Sequence, residues 1–169
     1  MPESYIQVSK IQGPPLSDTI QALALPNTNP MIVNWLAVVI ASVAQFIIGA
    51  IWYMPIFGKM WGKLHDFNPK TPEEASVMTK QMMPLLVVQF LVTVVTTIVL
   101  AIFIGWIPTN WNAYAMAGFL WIGFVVPTQV SAVLFGGTKP ERVVKKIAIM
   151  AGGSLICLEA AAAIIKAML

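Results

Sequence analysis

The segment Asn34 to Pro55 limits this chain more than any other stretch. It reads Asn34-Trp35-Leu36-Ala37-Val38-Val39-Ile40-Ala41-Ser42-Val43-Ala44-Gln45-Phe46-Ile47-Ile48-Gly49-Ala50-Ile51-Trp52-Tyr53-Met54-Pro55 and holds no charged side chain. About twenty apolar residues rising 1.5 Å each cross the roughly 30 Å hydrocarbon core of a bilayer. Trp35 marks one end, and Trp52 and Tyr53 mark the other, as an aromatic belt at each interface requires. A water-soluble domain cannot hide such a helix cheaply. Only 10% of the residues are charged and 58% are hydrophobic, against about 25% charged in soluble domains. The expected fold is all-α, an integral membrane four-helix bundle.

The four spans are expected at about 33–54, 85–107, 111–135 and 144–166, in one transmembrane domain covering 33–169. Residues 1–32 form a polar N-terminal tail broken by Pro14, Pro15, Pro26 and Pro30. The tail lacks the basic start and apolar centre of a secretory signal, so it is expected to be retained. Ser17 or Asp18 offers a cap for a short helix there, with Ile20, Leu23 and Ala24 on one face. In the first loop, Thr71-Pro72-Glu73-Glu74 has the form of a helix start: a capping hydroxyl, proline at the first turn, and a glutamate able to reach back. That helix is expected to continue through Pro84 into the second span. The Val- and Thr-rich second span would suggest strands in water, but lipid leaves no solvent to satisfy backbone groups, so it must be helical. Gln89, Thr93, Thr96 and Thr97 then form a polar stripe facing protein. In the third span, Pro127 removes a backbone donor, and Thr128, Gln129 and Ser131 are placed to compensate.

Charge gives the threading. Eight of the ten basic residues, Lys59, Lys63, Lys70, Lys80, Lys139, Arg142, Lys145 and Lys146, lie in the first and third loops, and only Lys10 and Lys166 lie elsewhere. Basic loops stay cytoplasmic, so both termini are expected on the extracytoplasmic side. Lys139, Arg142, Lys145 and Lys146 cluster where anionic lipid headgroups would meet them, or serve as a topogenic signal alone. Nothing in the pattern suits nucleic acid.

The order Asn34-Trp35-Leu36-Ala37-Val38, Gly49, Trp52-Tyr53, Pro55, Phe57-Gly58-Lys59 and Trp61 resembles a family of small prokaryotic membrane proteins, domain of unknown function 1761. Trp121, Gly123-Phe124, Pro127 and Phe135 extend the likeness through the third span. The resemblance covers about Asn34 to the C-terminus. It implies a four-helix integral protein of a prokaryotic plasma membrane and supplies no activity. The tail before Asn34 and the segment Thr71 to Met83 depart from its compact pattern.

Chemistry-bearing residues are few. Glu159 is the one acid inside a span, where an ionised carboxylate is costly unless paired, protonated or wet. It reads either as a proton or ion site completed by Gln45, Gln89 and Gln129, or as interhelical polar glue. Lys166 shares its helical face but lies about 10 Å away, too far for direct pairing. Ala41, Gln45 and Gly49, and Gly152 with Ala148, place small side chains one turn apart for close helix packing. Cys157 is the single cysteine and His65 the single histidine. Met60, Met78, Met82 and Met83 near His65 have the softness copper(I) prefers, but one histidine without a thiolate pair is a poor metal set. No catalytic set, cofactor motif or metal site emerges. Three functional classes remain: a non-catalytic accessory or structural subunit packing against other membrane subunits or itself, a small proton- or cation-coupled transporter using Glu159, and, on His65 and the methionines alone, a membrane enzyme or copper-handling protein.

Overall fold

The computed structural model describes residues 33–67, 69, 71–106 and 111–169. The tail 1–32, its expected short helix, Lys10, Lys70 and the turn at 107–110 lie outside the described residues. Every described element is helical. In chain order these are α1 (Trp35–Ile51), a π-helical turn (Trp52–Ile56), α2 (Gly58–Leu64), α3 (Pro72–Trp106), α4 (Ala113–Leu120), a second π-helical turn (Trp121–Val125), α5 (Val126–Phe135) and α6 (Pro140–Ala167). Four helical stretches among the described residues are long and apolar enough to cross a membrane: Trp35–Ile56, Pro72–Trp106, Ala113–Phe135 and Pro140–Ala167. Among the described residues the fold is all-helical, and its four long apolar helices are those of a membrane protein.

Asparagines start two of these spans. Asn34 Oδ1 accepts from the Ala37 N–H at 3.1 Å, and Asn112 Oδ1 accepts from the Tyr114 N–H at 3.0 Å. Each satisfies one of the orphan donors of a first helical turn. Asn34 does a second job. Its Nδ2–H donates to the Met168 carbonyl at 2.9 Å, tying the start of the first span to the end of the fourth. Thr71 caps α3 as its sequence requires, with the Glu74 N–H donating to Thr71 Oγ1 at 3.2 Å. The helix then continues unbroken past Pro84 to Trp106.

Both π-helical turns have a proline close by. Pro55 lies inside the first and Pro127 just after the second. A helical proline leaves the carbonyl one turn earlier without its donor, and a wider turn is one way to re-pair the backbone. Phe57 N–H accordingly reaches back five residues to the Trp52 carbonyl at 3.0 Å. At the second site the Thr128 hydroxyl bonds the Phe124 carbonyl, one residue past the Gly123 carbonyl that Pro127 leaves without its donor, so it is the common i to i−4 threonine bond.

The close-packed core is built from small residues. Ala37, Ala41, Ala101, Ala113, Ala117, Ala161 and Ala162 are all buried, interleaved with Val38, Leu100, Ile104, Leu158 and Ile165. Lipid tails are as apolar as leucine, so helix association in a bilayer depends on close approach more than on hydrophobic transfer. Alanine at these positions permits that approach. The core occupies the half of the bundle nearest Asn34 and Met168; the other half is held differently.

Candidate functional site

The second half of the bundle is clasped by two tryptophans, each opening a π-helical turn. Trp52 Nε1–H donates to the Ile149 carbonyl at 2.9 Å, and Trp121 Nε1–H donates to the Ala151 carbonyl at 2.9 Å and to Ser154 Oγ at 3.1 Å. Gly152 and Gly153 make room for this. A β-carbon on Gly153 would lie 2.8 Å from both Cδ1 and Nε1 of Trp52 and 3.3 Å from the Tyr53 hydroxyl, and one on Gly152 would lie 3.1 Å from Trp52 Cζ2. The glycine pair is therefore a seat for an indole. Trp52 lies at the span's end, where the sequence reading puts it, but its polar end is spent on a neighbouring helix. Trp35, Trp106 and Trp111 are exposed at span ends, as belt residues should be. Of the small pair one turn apart, Gly152 lies against the Trp52 ring, while Ala148 is exposed.

Deeper toward the core, Gln45 is only 5% exposed and its Nε2–H donates to Thr97 Oγ1 at 2.6 Å. Thr97 in turn donates to the Thr93 carbonyl at 2.7 Å. The Cys157 thiol points at the Gln45 carbonyl at 3.5 Å, with Gly49 alongside. The seam of Ala41, Gln45 and Gly49 is thus an inward face joining three spans. Such an interhelical hydrogen bond contributes about 0.6–2 kcal/mol. The threonine stripe does not follow Gln45 all the way. Thr97 is buried, whereas Gln89 is exposed, because little of the second span is covered at that level: 17% of its apolar window is buried.

Glu159 lies about 12 Å from the C-terminal end of α6 at 1.5 Å per residue. It is half-buried, against α4, where a β-carbon on Gly118 would meet its Oε1 at 3.6 Å. Among the described residues it has no hydrogen bond or ion pair. Lys166 turns elsewhere, its ammonium 5.9 Å above the Tyr114 ring. Gln129 has a buried Oε1 without a partner among the described residues. No hydrogen bond among the described residues joins any two of Glu159, Gln45, Gln89 and Gln129.

At the loop end, α2 appears where the sequence suggested only loop. Its glycines and two turns of length give no periodic signal, and tertiary contacts hold it instead. Trp61 packs on Tyr53 and on His65, ring centroids 4.7 and 4.1 Å apart, and His65 Nδ1 is 3.0 Å from the Trp61 carbonyl. Beyond it, Asp66 Oδ1 accepts from the Arg142 guanidinium at 2.8 Å, the one ion pair among the described residues. That hydrogen bond and the arginine's charge hold the Asp66 carboxyl below the ordinary aspartate range, with Lys139 and His65 adding to the effect. A lowered carboxyl pKa gives a brace that is intact above the unfolded value and lost as pH falls through the folded one. Amide exchange in α2 is therefore expected to stay slow down through the usual aspartate range and to quicken only below it. Asp66→Asn is expected to abolish that acid transition. Among the described residues no group of three or more His, Cys, Asp or Glu is arranged to hold a metal.

A family model described as a protein of unknown function, DUF1761, matches residues 36–166. No curated protein and no solved structure matches the chain. The match spans every element from α1 to α6, including both tryptophan clasps and Glu159. The chain belongs to the DUF1761 family.

Proposed function

We propose that this protein is a non-catalytic subunit that acts by lateral packing in a cell membrane, against further copies of itself or other membrane proteins. The carrying observation is the outward face of the third span. Only 6% of that span's apolar window is buried, yet Gly123, Pro127, Thr128 and Ser131 are exposed on it. Phe119, Ile122, Phe124 and Leu134 are exposed on the third span as well, beside this small-residue row, whereas the second span turns out Val87, Val88, Leu91, Val92 and Val95. Bulky aliphatics suit acyl chains, while small and weakly polar residues suit another helix. Glu159 adds support, as a half-buried carboxyl at bilayer depth gains from a neighbour that covers it. The concentration of basic residues in the first and third loops supports cytoplasmic loops and extracytoplasmic termini.

Native mass spectrometry from mild detergent tests this reading. A defined multimer, or a stoichiometric second subunit, is the expected result. A lone monomer at every concentration contradicts it.

A second reading, a small proton- or cation-coupled carrier, is favoured by Glu159 alone, a carboxyl without a hydrogen bond or ion pair among the described residues. Proton flux in proteoliposomes that is lost in Glu159→Gln supports it. Flux unchanged by the substitution, or absent from the unmodified protein, removes it.

A further inference from the structure

The loop end of the bundle carries cations that the fold does not neutralise. Lys59 and Lys63 are exposed on α2, one turn apart, and Lys139 and Lys145 are exposed at the start of α6. Lys146 is half-buried, its Nζ 3.5 Å from Thr138 Oγ1. Arg142 stands in the same cluster but is engaged by Asp66, so it braces α2 against α6 and does not offer a free charge. Glu141 on this turn is exposed and makes no ion pair among the described residues, and Glu73 and Glu74 open α3 beside Asp66, so the five lysines outnumber the three acids outside the Asp66–Arg142 pair. Beside these lysines are exposed apolar side chains: Met54, Ile56 and Met60 on the first-span side, and Val144 at 76% exposure on α6. Lysine stems lie along apolar surface while their ammonium groups reach into the polar layer. This pairing of an apolar lower tier with a cationic upper tier complements an acidic phospholipid in the adjoining leaflet.

We propose that α2 and the first two turns of α6 form a docking surface for the headgroup phosphate of an acidic phospholipid. Lys59, Lys63 and Lys145 are its principal contacts, and the Asp66–Arg142 pair holds the two helices at the spacing that presents them. The site is independent of what packs on the third span. Its charge is screened by salt, so binding weakens as ionic strength rises.

Lipid retention decides it. The full-length protein is reconstituted in vesicles of equal phosphatidylglycerol and phosphatidylcholine, and the lipids it carries are read by native mass spectrometry. Phosphatidylglycerol is expected to be enriched on the unmodified protein. Each lysine changed to glutamine among Lys59, Lys63 and Lys145 is expected to weaken that enrichment about fivefold, with helicity by circular dichroism unchanged. Lys166→Gln, at the opposite end of α6, is expected to leave it intact. Equal retention of the two lipids by the unmodified protein, or enrichment that survives the triple substitution, overturns the proposal. Loss of enrichment in millimolar inorganic phosphate at constant ionic strength also overturns it, because the site would then serve a soluble anion.

Discussion

Gly153→Leu is expected to destabilise the folded bundle by about 2–4 kcal/mol, adding overpacking to the loss of an interhelical hydrogen bond. The β-carbon alone would stand 2.8 Å from Cδ1 and Nε1 of Trp52, a separation that requires movement. The indole cannot yield without losing its 2.9 Å hydrogen bond to the Ile149 carbonyl, and α6 cannot yield without opening the neighbouring Trp121 contact with Ala151 and Ser154. Against a total stability of about 5–15 kcal/mol, that is a large fraction. Unfolding by denaturing detergent, followed by circular dichroism, measures it. Gly153→Ala should show a smaller loss, and adding Trp52→Leu should recover part of it. A double-mutant cycle on the two positions isolates this coupling.

Gly123→Leu is expected to do the opposite. Nothing lies within 4 Å of where its β-carbon would be, so the isolated chain has no clash to absorb. Replacing a helical glycine removes conformational freedom from the unfolded chain and favours the helix by about 0.5–1 kcal/mol. The single-chain fold is therefore expected to be unchanged or slightly more stable. Lateral association through the third span should nevertheless weaken by about tenfold or more, roughly 1.4 kcal/mol, because a leucine holds a neighbouring helix away from the small-residue face. Two glycines thus separate the two kinds of packing. Gly153 packs within the chain, and on the proposed lateral packing Gly123 acts between chains.

Much of this architecture follows from local signals. Hydrocarbon thickness sets the span lengths, and the capping hydroxyl of Thr71 with Pro72 sets the start of a helix that continues into the second span. The spacing of Ala41, Gln45 and Gly49 marks an inward seam by period alone. What escaped the sequence depends on distant partners. Trp52 has the position of a belt residue, and only Gly152 and Gly153, about a hundred residues later, reveal where it goes. A Gly-Gly pair inside an apolar span, set against a tryptophan beside a proline, is the signal that could have revealed it. The Asp66–Arg142 pair joins residues 76 positions apart, beyond any local pattern, and α2 itself is held by the packing of Trp61 on Tyr53 and His65 rather than by its own sequence. Gln89 misleads for a related reason. Periodicity placed it with Thr93 and Thr97, but a stripe faces protein only where a helix is present to cover it. Glu159 was legible as an acid within an apolar span, and its place beside Gly118 was not.

Cysteine cross-linking within the membrane tests lateral packing through the third span most directly. With Cys157→Ala as background, single cysteines at Gly123 and at Leu91 place a thiol on the proposed packing face and on the aliphatic face of the second span. Mild oxidation in native membranes is expected to give a discrete adduct, homotypic or with one partner, from position 123 and little from position 91. No adduct at 123, or equal adducts at both positions, contradicts the account.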